Sequence, residues 1–234
     1  MVVLIDELDD LNQEVFNLRE SKGLDYLFLA LYAFAGLATE LIYAFLLEPA
    51  LYNAPMESWT TAQTIIHWII TCATWGIIMF LLIKTANKKY NFNLFENDGD
   101  LKIWQWVSVL FCLVFMIALS YIDWGGFKVV KEFEKKGLLK FIFQYIYYAF
   151  ETGLFALIII FGQKTFEKWF KKRNFPYGGI LVALTWGLGH ILSKGSILAG
   201  ITTALSGFIF GVVYLLVNRD VKKTFVLLFI MFAF

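Results

Sequence analysis

The sequence predicts an all-α, polytopic transmembrane helix bundle of about seven helices. Three observations carry that expectation. Hydrophobic residues make up 59 % of the chain and charged residues only 17 %, whereas a soluble domain holds about 45–50 % and about 25 %. The apolar residues fall in long unbroken runs, and about 20 such residues let a helix cross the hydrocarbon core. The runs do not alternate polar with apolar, as the roughly 10-residue strands of a membrane barrel do.

Taken in order, the runs are Leu24–Leu47, Ala62–Lys84, Ile103–Trp124, Leu139–Gly162, Tyr177–Lys194, Ile197–Val217 and Thr224–Phe234. The last is short for a full span. Residues 1–23 form an appendage ahead of one membrane domain, 24–234. Within it Leu4, Leu8, Leu11, Val15 and Leu18 are spaced 4, 3, 4, 3, with acids on the other faces. This is an a/d seam of two heptads. It reads as an amphipathic cytoplasmic helix, packed under its own membrane domain or docking a partner or second copy. The first residues are acidic, unlike the start of a cleavable signal, so the first span would itself direct insertion.

Lys and Arg favour cytoplasmic loops. With the N-terminus inside, fourteen of the twenty fall on inside segments. The remaining six are Lys128, Lys131, Lys135, Lys136, Lys140 and Lys194. The expected location is therefore the cell membrane, multi-pass, with a cytoplasmic N-terminus. The discordant loop, Gly125–Leu138, reads as an amphipathic segment lying along the interface. A net charge of +1 argues against a nucleic-acid partner. Cys72 and Cys112, both inside spans, form no disulfide framework and read as small core residues.

An ionisable side chain inside a span is costly and is by default a functional candidate. Four stand out: Glu40, His67, Glu151 and His190. Glu151 is nearest the middle of its run. Trp186, His190 and Lys194 share one helix face at i, i+4, i+8, which makes His190, or Lys194 a turn on, the natural partner of Glu151. Gly187 and Gly189 thin that helix for a close neighbour. Gln144, Tyr147 and Tyr148 precede Glu151 by one or two turns and can line the same cavity. The competing reading is a structural carboxylate–imidazole pair locking two helices. Glu40 and His67, each one polar group in an apolar helix, read as packing or cavity-lining residues.

Residues 150–234 resemble the CPBP group of intramembrane glutamic proteases, which includes the CAAX-processing proteases and the Abi immunity proteins. That group's Glu-Glu…Phe-Arg-Gly motif meets Glu151-Thr152-Gly153-Leu154-Phe155-Ala156 here, with Thr152 in place of the second Glu and Ala156 in place of the Arg. Its aromatic-x-x-x-His motif meets Trp186 and His190. Gly207, Gly211 and Tyr214 are similar to its Gly-x-x-x-Gly-x-x-Tyr helix. Its third motif, a His with Asn or Asp four later, has no counterpart in Thr224–Phe234. The resemblance implies Glu151 as general base on a water and His190 as the group that orients it. Gln144, Tyr148, Thr152, Trp186, Lys194 and Ser206 are the candidate binding residues. The missing motif leaves the oxyanion side without a donor, so a weak or altered peptidase stands beside an inactive member that binds a membrane-embedded peptide or protein as an accessory or immunity factor. Polar groups from Thr202, Thr203 or Asn218 are the candidate replacements.

Other classes are weaker. Ala204-Leu-Ser206-Gly207 is similar to the rhomboid serine motif, but no later His activates Ser206. Proton-coupled transport suits Glu40 and Glu151, yet the halves show no internal repeat. Two histidines without paired spacing make no zinc site, and no cofactor motif appears. The decisive geometry is whether Glu151 meets His190. Measured from the run midpoints, they differ in depth by four or five residues, about 7 Å, unless helix tilt or a break at Gly187 or Gly189 closes the gap.

Overall fold

The computed structural model describes residues 22–234. The heptad seam expected over positions 4–18 lies outside the described residues. Those residues form an all-α bundle. The helices are α1 (Gly23–Tyr52), α2 (Thr61–Tyr90), α3 (Ile103–Trp124), α4 (Lys128–Phe170), α5 (177–194), α6 (Ile197–Leu216) and α7 (Val221–Ala233). Five of them, α1 to α4 and α6, are long and apolar enough to cross a membrane, so the chain is a membrane protein. Large apolar side chains cover its outside, such as Phe45, Leu51, Ile103, Phe111 and Leu198. Lipid solvates such a surface and water does not.

Helix ends follow local chemistry. Thr60 caps α2 by accepting from Gln63 N, and Gln63 reaches back to Thr60 N, which is a capping box. Asp220 accepts from Lys223 N at the start of α7. Gly125, at φ 62°, ends α3. At 13 residues, α7 is about 20 Å long and does not span. Its last carbonyls are taken by Tyr145 Oη and Lys128 Nζ, at 2.9 and 2.6 Å.

The middle of α4 is the core. Leu154 to Phe161 are all at most 4 % exposed, as in a helix buried on every side. It packs against α1, α2, α5 and α7. Glycine makes the closest crossings. A Cβ on Gly178 of α5 would fall 2.1 Å from the Ile159 carbonyl of α4, and one on Gly211 of α6 would fall 2.2 Å from Gly179 of α5. The expected close approach at Gly187 is present against Ala204 of α6, whereas nothing packs on Gly189.

Two features depart from simple helices. The first is a π turn in α1, Tyr43–Leu47, and another in α5, Ala183–Gly187. Such turns take in one extra residue and recur at functional sites. The second is the break in α4 at Gly137, where φ 70° and ψ 167° lie outside the helical region. Glu132 and Gln144 are twelve residues apart, about 18 Å along a straight helix, yet they hydrogen-bond at 2.8 Å. The limb before Gly137 therefore folds back on the limb after it. Its polar side chains Lys128 and Glu132 turn inward, 8 % and 1 % exposed, and Val130 and Phe133 face out. This corrects the expected interfacial loop: the segment is a helical limb that seals the bundle with its polar face, because the groups it meets inside are themselves polar.

Successive helices run in opposite directions. The loops around residues 91–102, 171–176 and 217–220 share one face. They are tied there by Asp98 to Arg173 and by Asn218 to Gln105 and Asp100. This face carries Lys88, Lys89, Lys102, Lys171, Lys172, Lys222 and Lys223 and is called the basic face below. The folded-back limb belongs to the opposite half.

Candidate functional site

The half of the bundle opposite the basic face holds a cluster of buried polar groups from α1, α2, α4 and α5, called the chamber below. Glu151, on α4, is 8 % exposed. Its Oε1 accepts the indole N–H of Trp186 at 2.9 Å. The Trp186 carbonyl in turn accepts from Nδ1 of His190 at 2.8 Å. A carbonyl can only accept, so Nδ1 carries the ring hydrogen and Nε2 is the open nitrogen. The expected direct carboxylate–imidazole bond is not formed. Trp186 stands between the two, bonded to one by its side chain and to the other by its backbone. The π turn at Ala183–Gly187, and not a break at either glycine, sets that arrangement. Phe155 and Phe232 pack on the indole with ring centroids at 4.8 and 5.6 Å.

Gln144 and Tyr148 are both in the chamber. Each donates to Glu132 Oε1, at 2.8 and 2.6 Å, and they also bond one another. Lys128 Nζ lies 4.7 Å from the centroid of the Tyr148 ring. Thr152 is fully buried, and its hydroxyl has no protein partner. Lys194 sits at the exposed end of α5, and its charge, with those of Lys128 and Glu40, acts on Glu151. Ser206 is not brought in. Its hydroxyl bonds back to the Thr202 carbonyl at 2.9 Å, as a serine does in a continuous helix. Thr202 and Thr203 bond the Leu198 and Ala199 carbonyls in the same way. Asn218 lies on the basic face, bonded to Gln105 and to the carbonyls of Gly99 and Asp100. None of the three replaces the missing motif on α7.

The larger surprise is on α1 and α2. His67, wholly buried, lies between two carboxylates: Nδ1 is 2.5 Å from Glu48 Oε2, and Nε2 is 3.4 Å from Glu40 Oε1. Tyr147 donates to the other oxygen of Glu40 at 2.7 Å. The sequence reading treated Glu40 and His67 as isolated and passed over Glu48, Glu132 and Lys128. In a regular helix Glu40 and Glu48 point about 80° apart. The one-residue register gain of the π turn between them brings both onto one face. No hydropathy pattern announces that turn.

Six buried polar atoms have no hydrogen-bond partner among the described residues. Five are in this half: Glu48 Oε1, Thr71 Oγ1, Glu132 Oε2, Gln144 Oε1 and Thr152 Oγ1. Each uncompensated atom costs about 1–3 kcal/mol, so the polar groups the described residues leave unsatisfied are concentrated in this half. Among the described residues no group of three His, Cys, Asp or Glu is placed to hold a metal. The basic face has a separate cavity lined by Tyr26, Asn91, Lys164, Lys168, Arg173 and Tyr214. The apolar run Leu154–Phe161 of α4 lies between the two.

Fold and site together define a polytopic α-helical membrane protein with a carboxylate-rich chamber in one half. No family model, curated protein or solved structure matches the chain.

Proposed function

We propose that this protein is a CPBP-like intramembrane peptidase of weak or altered activity, with Glu151 as general base and His190 as the group that orients the attacking water. One observation carries the reading: Trp186 holds Glu151 by its indole N–H and His190 by its carbonyl. Both groups of the expected pair are thus fixed on one residue, at the edge of a chamber of unsatisfied polar atoms. The open oxygen of Glu151 is the acceptor for a water proton, and Nε2 of His190 holds the same water. A peptide segment leaving the lipid gains partners in the chamber that the hydrocarbon denies it. The charge count supports the cell membrane with the N-terminus in the cytoplasm, which turns the chamber to the outer half of the bilayer.

A second reading has its own observation. α7 contributes no His or Asn, and its one buried hydroxyl, Thr224, bonds the Asp220 carbonyl. Losing one oxyanion donor costs about 10²–10³ in rate, so a chain lacking the whole motif can act as a peptide-binding accessory or immunity factor. Proton-coupled transport is the weaker reading, since the apolar run Leu154–Phe161 of α4 separates the chamber from the basic face along that helix.

The test uses the full chain in lipid nanodiscs with a panel of fluorescent membrane-spanning peptides. Wild type, Glu151→Ala and His190→Ala are compared for cleavage by mass spectrometry and for binding by anisotropy. Slow cleavage lost in both variants, with binding retained, supports the peptidase. Binding without cleavage in wild type overturns it in favour of the accessory reading. Proton flux in proteoliposomes that Glu151→Ala abolishes would overturn both.

A further inference from the structure

We propose that Glu40 is the second acid of the site, paired with Glu151 across Tyr147 and held by the buried His67–Glu48 pair. The inference rests on the reading of Glu151 as the working base.

Tyr147 makes the link. It lies four residues before Glu151, so the two side chains are neighbours on one face of α4, about 6 Å apart at Cβ. Its hydroxyl donates to Glu40 Oε2 at 2.7 Å. Glu40 therefore occupies chemically the place of the second carboxylate that Thr152 replaces in the Glu151 segment.

His67 and Glu48 set where a proton can sit beside Glu40. Both ring nitrogens of His67 face carboxylate oxygens. Each nitrogen needs a hydrogen to make its bond, so either His67 is the cation or one of the two acids carries the proton. The trio is thus a buried store of one exchangeable proton. A simple helix lock needs only the 2.5 Å His67–Glu48 contact. Glu40 adds a carboxylate that is 24 % exposed and turns its second oxygen toward the Glu151 helix. The unpartnered Glu48 Oε1, on a side chain 5 % exposed, and Thr71 Oγ1, one turn beyond His67 on α2, point independently to a polar guest here. Cys72 is the other titratable group beside Glu40, and Lys128 and Lys194 are the cations acting on Glu151.

Two carboxyls in one site of low dielectric share protons instead of ionising independently. In hydrolysis the water oxygen adds to the peptide carbonyl carbon, and its proton passes to Glu151. The C–N bond breaks, the nitrogen takes the Tyr147 hydroxyl proton while Tyr147 takes one from Glu40, and the carbonyl fragment leaves as the acid. The proton on Glu151 then returns to Glu40, and the pair is reset.

The experiment reads carboxyl protonation and cleavage separately. The full chain in nanodiscs is treated with an apolar carbodiimide, which modifies protonated carboxyls, and labelling of Glu151 is followed by mass spectrometry between pH 4 and 9. Glu40→Gln should move the Glu151 labelling midpoint by about one pH unit or more. Glu48→Gln should move it in the same direction by less, and Glu40→Asp should restore most of the wild-type curve. The pH profile of kcat should lose one limb in Glu40→Gln with KM little changed. An unmoved midpoint in Glu40→Gln overturns the pairing, whether or not cleavage is seen. Cleavage that survives Glu151→Gln overturns the base assignment instead and leaves the labelling result to judge the pairing alone.

Discussion

The protein has two polar regions, and they are built on opposite principles. On the basic face the charges at the loop junction are paired. Arg219 bonds Glu167 at 2.7 Å, the Arg173 carbonyl at 2.6 Å, and Asp98. Gln163 ties Glu167 to the Phe175 carbonyl and accepts from Gly178 N. The knot joins three loops, α4 and α5. In the opposite chamber are four carboxylates, Glu40, Glu48, Glu132 and Glu151, of which two meet the His67 imidazole. Five orphaned polar atoms lie there against one, Arg219 Nε, on the basic face. Satisfied polar networks fix a fold, whereas unsatisfied ones are tolerated where function needs them. The contrast sets a basic face that holds the loops together against a chamber whose polar groups are left partly unpartnered.

Four substitutions break or sharpen that contrast, each read as the thermal unfolding midpoint in detergent. The largest effect is expected on the basic face. Arg219→Ala leaves Glu167 and Asp98 without their shared cation and should cost about 3 kcal/mol. A loss under about 1 kcal/mol would show that the knot is ornamental. Next is Gly137→Ala. Nothing crowds a Cβ there, but φ 70° with ψ 167° is a region essentially reserved for glycine, and the strain should cost about 1–3 kcal/mol. An unchanged midpoint would mean that the limb Lys128–Lys136 does not depend on the break.

Asp220→Asn is smaller. The Lys223 ammonium, with its backbone N–H, holds the Asp220 carboxyl below the usual carboxylate range. A depressed folded value adds stability that is complete above the ordinary value, about 3.9, and is lost as pH falls through the lower folded value. Wild type should therefore exceed Asp220→Asn by about 0.3–1 kcal/mol at neutral pH, and the two should converge below pH 4. A difference that persists into acid would exclude the charge as its origin. The smallest effect is expected in the chamber. Glu48→Gln keeps an amide oxygen to accept from His67 Nδ1 and should cost about 1 kcal/mol or less, the difference between a charged and a neutral hydrogen bond. If it destabilises as much as Arg219→Ala, the chamber is a structural core and the functional reading loses its basis.

The legible part of the fold was the part set by hydropathy. The run Ile103–Trp124 coincides with α3, and Tyr177–Lys194 coincides with α5. α1, α2 and α4 extend past their runs, because polar residues continue a helix once it has left the lipid. The limb Lys128–Lys136 was read as amphipathic and interfacial, and its spacing did not show that Lys128 and Glu132 would turn inward on the bundle. Within the site, the i, i+4 spacing of Trp186 and His190 correctly put them on one face. It did not show that the tryptophan, and not the histidine, holds Glu151.

By itself the sequence determined that this chain is a bundle of apolar helices in a membrane, where those helices run, and that Glu151 must be buried among them. Those outcomes follow from local composition, since the cost of placing a residue in lipid is nearly additive along the chain. Only the tertiary structure decided which buried groups meet. Two π turns rotate Glu48 and Trp186 into register, a break at Gly137 doubles α4 back on itself, and His67 joins carboxylates 27 and 19 positions away. Contacts of that kind depend on the rotation of one whole helix against another, which packing fixes and sequence spacing does not encode.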